Sequence, residues 1–293
     1  MSLTTGSGKT ELGCFLPIEI ERQLQAGAAL AVSISGGKDS QAMATTLAKL
    51  HAARGWSGPI FAIHADLGRI EWRQTPGQVK RIADQAGLDL VTVRRTDGRD
   101  MVDHWIARGE RMQAQGKQAR PWSDSGNRFC TSDMKRDPID NYLRRFGNVV
   151  CAVGLRADES PARAKKKAWE KRRIDNTVRA ATTWHPILDW GIGRVLNACG
   201  TDVYDLKRRQ DLYAAGSVEA ALDGWPLHVA YVFGNDRLSC QFCVLASCND
   251  LQNGADHNPE LLAELIGIED RFGFTFQSGR SLRSFQAAEE VAA

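Results

Sequence analysis

The sequence predicts an α/β fold: a doubly wound, mostly parallel sheet followed by a cysteine-rich, metal-cluster segment. Three observations lead there. Short apolar runs alternate with stretches of helical spacing between residues 28 and 153. The loops that follow those runs are rich in glycine, charge and hydroxyl groups, and ligands of parallel sheets gather beyond the carboxyl ends of the strands. Late in the chain, Cys240, Cys243 and Cys248 fall close together.

The elements follow in order. Residues 16–24 read as a lead-in helix and 28–34 as a short apolar strand. Residues 39–54 read as a helix because Met43, Leu47 and Leu50 recur at helical spacing. A second strand is expected at 59–64, a helix at 71–86 ended by Gly87, and a third strand at 88–93. Residues 100–115 are helical, 121–130 a polar loop, and 133–146 a helix that Pro138 should kink or break. A fourth strand at 148–153 precedes G-L-R-A-D-E-S. Past Thr182 the pattern weakens: W-H-P-I-L-D-W gives one short element, and 193–199 and 259–272 give helices. The polar residues of four loops, 35–40, 64–68, 94–99 and 154–163, are expected to converge.

The bulk numbers set limits. The chain has 293 residues, 43% hydrophobic and 25% charged, as in globular domains. No apolar run reaches the length of a membrane span, and the first residues lack an apolar signal core, which implies a cytoplasmic protein without a membrane partner. The early G-S-G-K-T has no strand before it, and the first glycine of a Walker loop would fall at Leu3; it reads as part of a disordered leader, and the last dozen residues as a fraying tail. The formal net charge of +3 says little about partners, but R-A-K-K-K-A-W-E-K-R-R at 163–173 is strongly basic. It is either a solvated helix face or mobile loop, or an electrostatic footprint for a polyanion in which Trp169 alone offers a stacking platform. Cys14, Cys151 and Cys199 sit where small apolar residues would fit and read as packing residues.

The stretch A-V-S-I-S-G-G-K-D-S-Q-A-M carries the chemistry. Gly36 and Gly37 allow a turn that aims successive N–H groups into one concavity, and the helix that follows adds its positive end. Lys38 adds a full charge; Ser35 and Ser40 add hydroxyls. Asp39 would repel phosphates unless it serves the helix N-terminus or a bound Mg²⁺. The alternative is an ordinary strand-to-helix turn.

These residues resemble the PP-loop motif of the adenine nucleotide alpha-hydrolase superfamily. The resemblance implies that the loop grips the pyrophosphate of ATP and that chemistry occurs at the α-phosphate. It extends along the chain, because H-A-D-L-G-x-x-E-W, R-F-C-T-S-D-M-K-R-D-P-I, G-L-R-A-D-E-S-P-A-R, W-H-P-I-L-D-W and G-N-D-R-L-S-C-Q-F-C resemble landmarks of the sulfonucleotide (phosphoadenosine phosphosulfate) reductase-like branch, in order. An adenine nucleotide alpha-hydrolase-like domain over residues 1–230 is implied, with a cluster-bearing segment over 231–293 packed on it. Ser35, Gly36, Gly37, Lys38, Asp39 and Ser40 would bind pyrophosphate and Mg²⁺; His64, Asp66 and Gly68 would lie near the adenosine, with a core histidine as the other reading of His64. Lys135, Arg156 and Arg163 would face phosphates, Lys38, Asp39, Arg156 and Arg163 being the catalytic set. Glu159 either orients one of those arginines or caps a helix, and Arg237 is either a counter-charge near the cluster or a surface arginine.

C-x2-C with a third cysteine nearby is a metal-ligand pattern, open between four-thiolate zinc, an iron–sulfur centre and metal-free thiols. The reductase-like branch holds a 4Fe–4S cluster with cysteines at the positions of Cys130, Cys240 and Cys243. Cys248 departs from that pattern and resembles the sulfur-inserting ATP pyrophosphatases of DNA phosphorothioation. The expected activity is ATP-dependent adenylation of an oxygen followed by sulfur insertion, on DNA ahead of tRNA, with a cysteine desulfurase as sulfur donor and a homo-oligomer as a possible assembly. A sulfonucleotide reductase is the runner-up: it needs a nucleophilic cysteine, and none follows Cys248 here. A non-catalytic ATP-binding module is the third reading.

Overall fold

The computed structural model describes residues 8–286; the leader at 1–7 and the end of the expected fraying tail lie outside them. The chain divides into two compact units. The first takes the residues up to Ala65, then Gln74–Val93 and Ile139–Val232. The second takes Asp66–Arg73, Arg94–Pro138 and the residues from Phe233 on. The C-terminal segment expected from residue 231 therefore shares its unit with two stretches from the middle of the chain.

Among the described residues the first unit holds eight strands: β1 (Gly8–Lys9), β2 (Phe15–Leu16), β3 (Ala29–Ser33), β4 (Ile60–Ala65), β5 (Asp89–Val93), β6 (Asn148–Val153), β7 (Trp169–Lys171) and β8 (Ala180–Trp184). The first two pair as a small antiparallel hairpin, so Gly8 and Lys9 of the expected disordered leader are in a strand, and Leu16, expected to open the lead-in helix, lies in their partner strand. The other six make one sheet in the order β5-β4-β3-β6-β8-β7, parallel throughout except for the antiparallel edge β7. The chain winds from β3 outward through β4 to β5, then returns to place β6 on the other side of β3. The switch point lies between β3 and β6, and a doubly wound sheet binds its ligands there.

Apolar content explains the central strands. Leu30 and Val32 of β3 and Val149 and Val150 of β6 are fully buried, as a parallel sheet covered on both faces requires. Ala29, Ala31, Phe61, Ile63, Val149 and Cys151 form a core with Ile139 and Leu143 from the helix Asp137–Leu143. Met43, Leu47 and Leu50 are buried on the helix Lys38–Arg54. Cys14, Cys151 and Cys199 are buried as packing residues.

Some expectations need correction. The helix expected at 71–86 begins at Thr75, because Pro76 in its first turn sets the start and a short 3₁₀ turn, Gly68–Ile70, precedes it. Pro138 neither breaks nor ends its helix: a π turn, Ser132–Arg136, immediately precedes it, and this wider winding accommodates a residue that cannot donate to the preceding turn. The basic segment is neither a helix face nor a loop throughout. After one short helix, Pro161–Ala164, it forms the edge strand β7, and Arg172 and Arg173 both pair with Asp140, which is fully buried.

The second unit is built around Trp105, Trp122 and Phe276, which meet edge to face, with Leu265 and Phe242 fully buried beside them. No helix among the described residues is long and apolar enough to cross a membrane.

One buried histidine ties the stability of the first unit to pH. His228 Nδ1 accepts the N–H of Ala230 at 3.1 Å, and its Nε2 lies 3.3 Å from Thr75 Oγ1, an arrangement that needs the neutral ring. Burial, with a smaller contribution from Arg81, pushes its pKa down to about 4 from 6.5. Between those values the unfolded chain takes up a proton that the folded chain refuses. Stability should be complete above about pH 6.5 and fall by roughly 3 kcal/mol as pH drops toward 4. Urea unfolding across that range should show the loss, and His228→Asn should reduce it, leaving the smaller share of His185, whose pKa burial also lowers.

Candidate functional site

The phosphate-loop candidate follows β3 at the switch point. Gly36 has φ of 81°, a left-handed conformation that favours glycine. Gly37 caps the helix Lys38–Arg54 in extended conformation, and Gln41 N–H to the Gly37 carbonyl at 3.0 Å is an early helical bond. Ser40 braces the turn: its hydroxyl accepts the N–H of Ser35 at 3.1 Å and donates to the Gly37 carbonyl at 2.8 Å. The sequence reading gave that hydroxyl to a phosphate; here it holds the loop in shape.

Asp39 joins this loop to the one after β6. Its Oδ2 accepts from Lys38 Nζ at 3.1 Å, and its Oδ1 accepts from Arg156 Nε at 2.5 Å. Arg156 also donates to Asp158 at 2.6 Å and to the Trp190 carbonyl at 3.4 Å. Lys38 and Arg156 are buried, with 6% and 5% exposure. Burial works against the Lys38 ammonium, but Tyr231 and Asp39 outweigh it and raise its pKa above the usual lysine value. Gly154 permits the approach of the two loops: a Cβ there would stand 3.1 Å from the Asp39 carbonyl and the Ser40 nitrogen.

Glu159 fills both roles set out for it. Its carboxylate accepts the Arg156 N–H at 3.1 Å, closing the short turn Ala157–Glu159, and it pairs with Arg163. Arg163 is partly exposed and begins the basic segment. His64 is buried at 4% exposure and donates from Nδ1 to the Ile34 carbonyl at 3.0 Å, a structural use of the ring in the core. Asp66 and Gly68 belong to the second unit. Asp66 accepts the Gly68 N–H at 2.7 Å and is gripped by Arg94 at 2.8 and 2.5 Å, so its oxygens serve this turn.

The second unit gathers three of the four ligand candidates. Cys130, Cys240 and Cys243 are partly buried against its core. All three act electrostatically on Lys135, together with Glu71. Burial lowers the Lys135 pKa, but Cys240, Glu71, Cys243 and Cys130 raise it further, so the ammonium is held. Lys135, which the sequence reading had face phosphates, is exposed and feels Glu71 and the three thiols. Burial pushes the Cys240 thiol up to about 12, and Lys135 pulls it down. The loop carrying Cys240 and Cys243 is pinned on several sides. Gln241 N–H donates to the Ile70 carbonyl at 2.9 Å, Gln277 Nε2 to the Ala246 carbonyl at 2.9 Å, and Arg237 to the Leu245 carbonyl at 2.5 Å. Arg237 thus clasps the loop from its exposed position. Cys248 is exposed on the first turn of the helix Cys248–His257. Among the described residues, no three His, Cys, Asp or Glu side chains stand together as a group able to hold a metal ion.

Tyr231 and Asp158 were missed by sequence reasoning. Asp158 was visible inside G-L-R-A-D-E-S; nothing local singled out Tyr231.

Residues 29–202 match the model of the phosphoadenosine phosphosulfate reductase domain. An uncharacterised protein of Methanocaldococcus jannaschii is 26% identical over 265 residues, 90% of this chain and 52% of that protein. The chain therefore spans about half the length of this relative. An uncharacterised 37.8 kDa protein of Escherichia phage 186 is 24% identical over 275 residues, 81% of this chain and 73% of that protein. The U34-tRNA thiolase NcsA of Methanococcus maripaludis, solved with its [4Fe-4S] cluster, aligns with a TM-score of 0.41 at 14% identity, over 94% of this chain and 82% of that one.

The thiols differ in accessibility, and alkylation reads this directly. Burial pushes Cys14 and Cys199 up to about 12 and raises Cys151, so their thiolates are suppressed. In metal-free native protein at pH 8, iodoacetamide should modify Cys248 first and spare Cys14, Cys151 and Cys199 until denaturant is added, as peptide mass spectrometry can show.

Proposed function

The chain belongs to the phosphoadenosine phosphosulfate reductase domain family, and we propose that within it this protein is an ATP pyrophosphatase that activates an oxygen for replacement by sulfur. The observation that carries the reading is the complete glycine loop at the switch point, with buried Lys38 and Arg156 bridged by Asp39. A nucleotide lacking β- and γ-phosphates, as a sulfonucleotide does, makes little use of such a cradle.

In this reading Ser35, Gly36, Gly37, Lys38, Asp39 and Ser40 receive the two outer phosphates of ATP, Lys38 through its ammonium and Ser40 through its backbone amide, since its hydroxyl braces the turn. An acceptor oxygen attacks the α-phosphorus, the bond to pyrophosphate breaks, and the acceptor carries AMP through that oxygen. Charge grows on the departing pyrophosphate, where fixed N–H groups and Lys38 stabilise it most. Arg156 and Arg163 offer forked donors to the remaining phosphate oxygens. Mg²⁺ would be held by the phosphates with Asp39, which already faces two cations. A persulfide from a cysteine desulfurase then attacks the activated atom, AMP leaves with the oxygen, and a thiol cuts the S–S bond and becomes a disulfide.

The thiols Cys130, Cys240 and Cys243, which all act on Lys135, are the soft donor type that an iron–sulfur cluster takes, with Cys248 as the fourth candidate at the start of the helix Cys248–His257. As they stand they do not form a metal-holding group, so a cluster would have to draw them together. When bound, a cluster would supply thiolate-ligated iron, and Lys135 would offset the negative charge of its ligands.

The acceptor we favour is nucleic acid, DNA ahead of tRNA. Lys165, Lys166, Lys167 and Lys171 are exposed along the stretch that leads into and forms edge strand β7. Among the described residues Lys165 and Lys167 make no ion pair, while Lys166 and Lys171 make exposed ones of the kind worth little. Such a row suits a phosphate backbone.

The family name itself favours a second reading, reduction of a sulfonucleotide without ATP. Anaerobically purified protein with Mg²⁺, ATP and either DNA, tRNA or no acceptor separates the readings. Release of pyrophosphate and AMP is expected, and Lys38→Ala should slow it by about 100-fold or more. ADP as product would overturn the reading. Turnover of adenylyl sulfate without ATP would establish the reductase, and ATP binding without release a non-catalytic module.

A further inference from the structure

The loop lysine is held by a residue far from it in sequence. Tyr231 lies 193 positions from Lys38, at the end of the short turn Val229–Tyr231, and is 2% exposed. Its hydroxyl accepts the backbone N–H of Lys38 at 3.2 Å. Its ring faces the ammonium of the same residue, 5.1 Å from Nζ to the ring centroid. One side chain therefore grips Lys38 at both its backbone and its charge.

Tyr231 is itself fixed. Its carbonyl accepts from the Gln210 side chain at 2.9 Å, off the helix Val203–Ala214, and the His228 ring caps the turn through Ala230 N–H. The next peptide, Lys38–Asp39, is held as well, because Cys199 Sγ donates to the Lys38 carbonyl at 3.4 Å.

Position decides what this grip does. Lys38 is the first helical residue, and amides of a first turn have no carbonyl within the helix to bond. In an anion cradle such amides are the donors, and their direction sets where the anion sits. With the Lys38 N–H on the phenol, the peptide plane is set, and the N–H groups that follow it take their direction from that plane. The ring face adds a second restraint, because an ammonium over an aromatic face is attracted to it in a desolvated setting. The ammonium is thus balanced between Asp39 on one side and the ring on the other.

From this geometry we infer that Tyr231 is the positioning residue of the phosphate loop, acting through Lys38 to set the affinity for a pyrophosphate group. The inference rests on the reading of this loop as a pyrophosphate site. Its two handles come apart by substitution. Tyr231→Phe keeps the ring and removes the bond to the amide; Tyr231→Leu removes both.

Titration calorimetry with inorganic pyrophosphate and Mg²⁺ on the full chain, paired with thermal melting of the ligand-free protein, tests it. Wild type should bind and Lys38→Ala should not. Tyr231→Phe should weaken binding about fivefold, the scale of one lost hydrogen bond, and Tyr231→Leu by a further factor of about five as the ring contact goes. Melting of the Phe variant should stay within about 2 °C of wild type. Wild-type affinity in both variants, or weakening that only tracks a falling melting temperature, would overturn the role of Tyr231 and leave the pyrophosphate site standing. Failure of wild type itself to bind would overturn the site and the inference together.

Discussion

Asp39 is the constraint on which the candidate site depends. Two cations, Lys38 and Arg156, are buried within reach of each other, and their repulsion in a poorly solvated setting would open the switch point. A single carboxylate bonded to both, at 3.1 and 2.5 Å, offsets that repulsion and ties the loop after β3 to the loop after β6. Asp158 compensates Arg156 further, so two positive and two negative groups stand together. The aspartate that looked misplaced beside phosphates thus has a structural reason independent of any ligand. The same carboxylate fixes the directions of both cations.

Much of this arrangement was legible in the sequence. β3, β4, β5 and β6 lie within a residue or so of their expected limits, and the helix Pro259–Phe272 coincides with its expected span. Those elements have unbroken apolar runs or apolar residues at helical spacing, which local pattern records directly. β7 was illegible for the opposite reason. It is an edge strand of three residues, Trp169–Lys171, set in a lysine-rich stretch, and edge strands carry charge instead of an apolar face. The helices Val203–Ala214 and Cys248–His257 were missed because exposed or polar faces dilute their periodicity. At the site, the glycine loop could be read from local spacing, and Arg156 was named only through the resemblance of its loop to the family motif. Tyr231 could not, since its role exists only through a contact spanning most of the chain, and neither could the commitment of Ser40 to its own turn.

The second unit shows where motif reading and geometry answer different questions. Spacing grouped Cys240, Cys243 and Cys248, yet Cys248 starts an exposed helical turn while distant Cys130 joins the other two around Lys135. An α-helix that begins at Cys248 points its first side chains by its own winding, which residue counting does not capture. Membership of the phosphoadenosine phosphosulfate reductase domain family accounts for the sheet and the loop together.

A crystal structure with Mg²⁺ and a non-hydrolysable ATP analogue tests the central claim most directly. The account predicts the two outer phosphates against the amides of Gly36, Gly37, Asp39 and Ser40, with the Lys38 N–H still on the Tyr231 phenol and Lys38 Nζ moved from Asp39 to a phosphate oxygen. Nucleotide bound elsewhere, with the Lys38–Asp39–Arg156 bridge unchanged and the loop empty, would contradict it.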